Sequence, residues 1–279
     1  NLQVGMSPET TILESDLITD TLTIGTGDTL VASGYNIAVS ENIFLHGLLN
    51  ATDSGAIAST ITVSGSWLAF GTGDLISGTS EVVFDGTSGS HTITASGAFH
   101  HVLFSATGAT YTATGQNVTI NGNLRLHGGD VDLDLAAMDL NGSLTQATGT
   151  LTAPISWNLS GSWLREGGSF AHNNGTIVLD GADQTLSGSS LLNNVTKLVT
   201  EVQTLTLVAD QKQSISGALI LQGDSDSRLN LRSSRTGSRA QLALGGAGAS
   251  QNLMYLDVQD SDASAGNTLF CLTDCVNNG

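Results

Sequence analysis

The sequence predicts an all-β chain that folds as a parallel β-solenoid, and its composition is the first observation that supports this prediction. Glycine contributes 34 of the 279 residues and proline only 2, while Thr, Val, Ile and Leu recur throughout. This composition favours β-strands joined by many tight turns. Charged residues make up only 12% of the chain, whereas disordered chains are richer in charge and proline.

Short runs of alternating apolar and polar residues are the second observation. Residues 61–63 (Ile-Thr-Val), 118–120 (Val-Thr-Ile) and 124–126 (Leu-Arg-Leu) are typical examples. A period of two residues marks a strand with one buried face. Runs this short fit the faces of a solenoid, in which several strands make one coil of about 20–25 residues.

Repetition of whole phrases is the third observation. Residues 63–68 (Val-Ser-Gly-Ser-Trp-Leu) return 96 positions later as residues 159–164 (Leu-Ser-Gly-Ser-Trp-Leu), and residues 120–128 match residues 215–223. A unit of about 95 residues would hold about four coils. The predicted division is a partial first repeat (1–62), a second repeat (63–158), a third repeat (159–223) and C-terminal variant coils with the cysteine pair (224–279).

A string of tandem antiparallel β-sandwiches is the alternative architecture. A unit of this length with frequent turns also fits an immunoglobulin-like domain. The chain lacks the Cys-Trp-Cys pattern of such domains and has no proline-rich linkers between the units. No convincing amphipathic helix is present, so a doubly wound α/β fold is not expected.

The net charge of the chain limits the classes of partner that it can bind. The formal net charge is −17, with only 8 Lys and Arg residues, which argues against nucleic acid and anionic membranes and attracts cations such as calcium. A basic cluster of Arg228, Arg232, Arg235 and Arg239 is interpreted as a solvated loop or strand face. No apolar run approaches the roughly 20 residues that span a bilayer, so no membrane span is predicted in this chain.

Three aspartates form the strongest candidate for a site. Asp130, Asp132 and Asp134 alternate with apolar residues, so all three face the same way on a strand. The simplest interpretation is a solvent-exposed face opposite the buried residues 131, 133 and 135. They are also weak calcium candidates, and carboxylate pairs on a solenoid face occur in polysaccharide-cleaving enzymes. Calcium is the one cofactor that remains open.

Other conspicuous residues recur with the repeat. Trp67 and Trp163 occupy equivalent positions, as do His46 and His127. A tryptophan could stack on a sugar. An aromatic side chain that recurs in each repeat unit, however, indicates a residue of the core or of an end cap. Because an active site is usually present once, we predict no catalytic residue and no enzymatic activity.

Two cysteines lie near the C-terminal end. Cys271 and Cys275 are separated by three residues, which is one too many for a Cys-x-x-Cys redox motif. A four-cysteine zinc site would need a second pair. We therefore predict a short-range disulfide between them, formed in an oxidising compartment.

The repeated phrases resemble those of large secreted bacterial β-strand-repeat surface proteins and adhesins. The likeness lies in Gly-Ser-Trp, Val-Val-Phe-Asp-Gly, His-Thr-Ile and the run Val-Thr-Ile-Asn-Gly-Asn-Leu-Arg-Leu (residues 118–126). Residues 256–267 resemble the end-of-array segment of those proteins. The resemblance implies a right-handed parallel β-helix at the cell exterior, and it carries no catalytic residues to transfer.

The expected function follows from these points. We expect an extracellular structural or adhesive module of a cell-surface or filament-forming protein, with self-association end to end or contacts to cell-surface glycans. The alternatives are a polysaccharide lyase or hydrolase that uses Asp130, Asp132 or Asp134, and a carbohydrate- or calcium-binding module on the same scaffold.

Overall fold

The computed structural model describes residues 1–5, 8–52, 58–115, 117–133 and 135–279. These residues form short β-strands and contain no helix. The strands are β1 (Leu2–Val4), β2 (Thr10–Ile12), β3 (Leu17–Thr19), β4 (Leu22–Ile24), β5 (Thr29–Val31), β6 (Ile37–Val39), β7 (Ile43–Leu45), β8 (Leu48–Asn50), β9 (Thr60–Val63), β10 (Trp67–Ala69), β11 (Asp74–Ile76), β12 (Glu81–Phe84), β13 (Gly89–Thr94), β14 (His101–Ala113), β15 (Val118–Ile120), β16 (Leu124–Asp132), β17 (Ala137–Leu140), β18 (Leu144–Gln146), β19 (Thr150–Thr152), β20 (Ser156–Leu159), β21 (Trp163–Arg165), β22 (Ser169–Ala171), β23 (Thr176–Leu179), β24 (Gln184–Ser187), β25 (Ser190–Leu192), β26 (Asn194–Leu198), β27 (Gln203–Leu207), β28 (Lys212–Ile215), β29 (Ala218–Gln222), β30 (Leu229–Ser233), β31 (Ala240–Leu244), β32 (Ser250–Met254), β33 (Leu256–Gln259), β34 (Ser261–Asp262), β35 (Cys271–Thr273) and β36 (Val276–Asn277).

The strands stack in parallel on three faces, which makes the chain a β-solenoid of about 13 turns. Face A is the ladder β3-β6-β9-β12-β14-β16-β18-β21-β24-β27-β30-β33-β36. Face B comprises β2-β5-β8-β11 and β15-β17-β20-β23-β26-β29-β32-β35. Face C comprises β1-β4-β7-β10-β13-β14-β16-β19-β22 and then β25-β28-β31-β34. The long strands β14 and β16 run from face A into face C.

The predicted fold class and coil size are confirmed. Leu124 pairs with Leu144 and Leu140 pairs with Leu159, so a coil in the middle of the chain takes about 20 residues. Parallel ladders between successive coils exclude the sandwich alternative, because immunoglobulin-like sandwiches are built from antiparallel sheets. The right-handed sense of the coil stays a prediction.

The core runs along the solenoid axis. In strands such as β9, β12 and β20, inward-facing positions are buried and outward-facing positions are not, as the alternation predicts. Most inward positions carry Leu, Ile, Val or Ala, and aromatic side chains fill the middle coils. Phe84 stacks on Phe104 at 4.9 Å between ring centroids, and both rings contact Tyr111. Coil-to-coil burial of this kind stabilises each coil through its neighbours.

The repeated Ser-Gly-Ser-Trp phrase marks a corner of the coil. Gly65 and Gly161 lie so close to the preceding coil that a Cβ atom there would collide with its backbone. The serine after each glycine accepts a hydrogen bond from the next coil. Ser66 Oγ accepts from the Thr92 amide at 3.1 Å, and Ser162 Oγ accepts from the Thr185 amide at 3.0 Å.

The two copies of this phrase lie at different corners. The first copy leads from face A into face C, and Trp67 begins β10 there. The second copy leads from face B into face A, and Trp163 begins β21. The 96 residues between them therefore advance the chain by a whole number of coils plus two further faces. The predicted unit boundaries stay a prediction, because the parallel ladders continue through residues 63, 159 and 224.

Gly73 gives a direct test of this close coil packing. A Cβ atom at Gly73 would collide with the Leu45 carbonyl oxygen, which already accepts the Phe70 amide at 2.8 Å. We expect Gly73→Ala to lower the free energy of unfolding by about 1–3 kcal/mol, measured by urea denaturation. Gly245→Ala is the control, because no heavy atom lies within 4 Å of a Cβ there. Equal stability of the two variants would contradict the packing argument.

Candidate functional site

The predicted aspartate site lies on the outer surface of face C. Asp130 is exposed and Asp132 is half-buried at the end of β16, and Val131 between them points into the core. The alternation was therefore interpreted correctly for this pair. Asp134 lies outside the described residues.

The neighbours of Asp130 and Asp132 on this face are hydroxyl side chains. Asp130 pairs with Thr110 on one side and Thr150 on the other. Asp132 lies between Thr112 and Thr152 in the same way. Within the described ranges, no three or more His, Cys, Asp or Glu side chains are grouped as they would be to hold a metal ion. Calcium binding at this strand stays a prediction.

The tryptophans are core residues. Trp67 and Trp163 are 0% and 1% exposed, so neither can stack on a sugar from solvent. Trp67 packs edge-on against Phe99 at 5.4 Å. Trp163 packs edge-on against Trp157 at 5.5 Å and against Phe170 at 4.7 Å. The interpretation of these positions as core aromatics is confirmed.

Three of the four arginines in the predicted basic cluster are paired with carboxylates of other coils. Arg228 contacts Asp274 at 2.8 Å, Arg232 contacts Asp257 at 2.9 Å, and Arg235 forms an ion pair with Asp210. Each pair joins residues at least 25 positions apart, and such exposed pairs contribute little to stability. These guanidinium groups therefore form contacts between coils instead of a free basic patch.

Sequence reasoning missed one residue, Lys197, which is fully buried inside the solenoid. Its Nζ donates hydrogen bonds to the Gly181 carbonyl at 2.7 Å, the Ala182 carbonyl at 3.0 Å and Gln184 Oε1 at 2.8 Å. Gln184 Nε2 in turn donates to the Leu159 carbonyl at 2.8 Å. The ammonium group therefore has a hydrogen-bond acceptor for each of its protons.

Burial lowers the pKa of Lys197 to about 8, against the opposing attraction of Asp183 and Asp180. The signal for this placement was present in the sequence. Lys197 lies two residues after Val195 on β26, so the period-two rule puts both side chains on the inner face.

The last coil carries the cysteine pair. A disulfide joins Cys271 and Cys275, whose Cα atoms are 6.1 Å apart. The Leu256 amide donates to Cys275 Sγ at 3.3 Å, and Cys275 packs against the core. The bridge thus fixes a small turn at the end of the solenoid and covers part of its interior.

The fold defines the chain as a parallel β-solenoid protein. Comparisons with protein-family models, with curated proteins and with solved structures found no match. The resemblance to bacterial surface proteins therefore rests on the sequence phrases alone. Among the described residues, no helix has the length and apolar character needed to cross a bilayer.

Proposed function

We propose that this chain is a structural or adhesive module of an extracellular, cell-surface or filament-forming protein. The observation that carries the proposal is the 13-strand ladder of face A, which continues from β3 to β36 without a break. At about 4.8 Å between strands, thirteen coils make a rod of about 60 Å. A rod stabilised by contacts between adjacent coils suits a protein that spans distance or resists force.

The structural roles of the conspicuous tryptophans and arginines support the same proposal. Trp67 and Trp163 are core aromatics, and Arg228, Arg232 and Arg235 pair with carboxylates of other coils. The tryptophans stabilise the scaffold from inside, and the arginines form contacts between its coils. The proposal therefore includes no catalytic activity. Polysaccharide turnover that is lost in Asp132→Asn would contradict it.

End-to-end association is the finer part of the proposal. Both ends present strand edges, with Ile18 84% exposed at the first coils and Leu272 62% exposed at the last. Open edges of this kind can pair with another chain. Both ends are acidic. Asp16 and Asp20 lie near the first edge, and no Lys or Arg precedes residue 125. Asp260 and Asp262 lie near the last edge, and no Lys or Arg follows residue 239. Association should therefore strengthen when salt screens the repulsion.

Sedimentation and negative-stain electron microscopy test this part. We expect rods longer than one module at high protein concentration, and more of them at 0.5 M than at 0.05 M NaCl, about the range over which screening changes. Ile18→Asp should abolish them, because it adds a charge to the edge. Ile155→Asp, at an exposed isoleucine away from both ends, should not. Monomers under all conditions, with no attachment to cells or glycan-coated surfaces, would contradict the proposal.

A further inference from the structure

The coils of the solenoid become longer toward its C-terminal end. Leu219 pairs with Gln251, 32 residues later, and Ile215 pairs with Leu244, 29 residues later. The strands lengthen as well, since β29 to β32 each have five residues where most earlier strands have three or four. Longer strands and coils enclose a larger cross-section, which more side-chain volume must fill.

The side chains of these coils do not fill that space. No buried aromatic residue follows Trp163, and the small residue Ala240 occupies an inner position of β31. A cavity of about 390 Å³ remains between the last coils. All three faces line it, with Leu221 and Leu253 from face B, Leu231 from face A and Leu242 from face C. A cavity of this size lies in the range of small-molecule sites.

One edge of the cavity is polar. Ser261, Asp262 and Asn277 lie there, beside the turn that the disulfide closes. Ser261 Oγ is shielded from solvent and has no hydrogen-bond partner among the described residues. Asp262 Oδ1 accepts the Ser264 amide at 2.9 Å. Hydrogen bonding by the side chain of Ser264, and then by its amide, holds the pKa of Asp262 below its ordinary value, so the cavity edge carries a negative charge at neutral pH.

We propose that this cavity binds one aliphatic ligand, whose apolar chain lies among the leucines and whose neutral or cationic polar end lies at Ser261 and Asp262. The leucine lining defines the aliphatic part of the ligand, because a cavity walled mostly by aliphatic side chains favours apolar molecules. The unpartnered Ser261 hydroxyl and the Asp262 carboxylate define the polar end. An anionic end is disfavoured by Asp262 and by the net charge of −17. This inference does not depend on the proposed function.

Three probes that share an eight-carbon chain test the proposal by calorimetry: octyltrimethylammonium, octanol and octanoate, each in its monomeric range. We expect the cation and the alcohol to bind with a stoichiometry of one, and octanoate at least tenfold more weakly. Going from hexyl to octyl should raise the affinity about fourfold per methylene. Asp262→Asn should remove the discrimination against octanoate while the chain-length dependence remains.

A matched pair of variants locates the binding. Ala263→Phe places a ring at the cavity edge, and Ala171→Phe adds the same ring at an exposed position of face C. We expect at least a tenfold loss of affinity in the first variant and none in the second. Thermal unfolding shows whether Ala263→Phe folds. If it does not fold, the comparison of hexyl and octyl probes on the unaltered protein still tests the proposal.

Three results would overturn the proposal. The first is that none of the probes binds. The second is equal binding to both phenylalanine variants, which would place the probes on the surface. The third is that the protein forms a dimer that Ala263→Phe dissociates and the octyl probes do not dissociate. In that case a second copy of the protein would occupy the cavity.

Discussion

Replacing Trp163 by alanine is expected to lower the free energy of unfolding by about 3–5 kcal/mol, the range for removing a buried tryptophan. The indole lies in the face A ladder between Leu144 and Leu186 and packs edge-on against Trp157. Its Nε1 donates to Ser190 Oγ at 3.3 Å. Truncation would leave a cavity that the parallel ladders on each side prevent from collapsing.

Guanidinium denaturation followed by fluorescence measures this loss, and hydrogen exchange locates it in the adjacent coils. Leu164→Ala is the matched control, because Leu164 is the next residue of β21 and points outward. We expect its cost to be below about 1 kcal/mol, as for a surface substitution. A cost below about 1 kcal/mol for Trp163→Ala would mean that the tryptophan is not part of the core.

The buried Lys197 is expected to make stability rise with pH. Its pKa is about 8 in the folded chain and near 10.5 when exposed. Between these values the unfolded chain binds a proton that the folded chain has released, so raising the pH favours folding. Relative to Lys197→Met, the unaltered protein should gain stability between pH 8 and 10.5, by at most about 3 kcal/mol. Below pH 8 the difference between the two proteins should stay constant.

Denaturation at several pH values measures this gain, and the comparison with Lys197→Met removes other titrating groups. Tyr111 is one of these, because burial raises its pKa to about 12 and its contribution falls as pH rises above 10. Lys212→Met is the matched control, since Lys212 is exposed on β28. A difference between the unaltered protein and Lys197→Met that is flat from pH 8 to 10.5 would contradict the assignment.

Much of the candidate site could be predicted from the sequence. The alternation in residues 130–133 placed Asp130 and Asp132 on the outer surface and Val131 in the core. The same rule could have found Lys197, but a lysine is expected at an exposed position because burying an unpaired ammonium group is costly. Three acceptors make that position acceptable: the carbonyls of Gly181 and Ala182 and the side-chain oxygen of Gln184.

The C-terminal cavity could not be predicted in this way. It depends on how far each coil extends before the next one begins, and on which side chains from three faces meet at the axis. In the sequence, nothing distinguishes Leu221, Leu231 and Leu242 from other core residues. Their distances from one another are set by the lengths of the turns between β29, β30 and β31.

The sequence by itself determined the β-solenoid class, the coil of about 20 residues and the side of each strand that is buried. These properties are local, because a period of two residues and a corner glycine act within one strand or turn. Only the tertiary structure decided that Trp67 and Trp163 lie on different faces and that side chains of the last coils line a cavity. Those properties depend on turn lengths summed over many coils, and a change of a few residues in one turn moves a later phrase to another face.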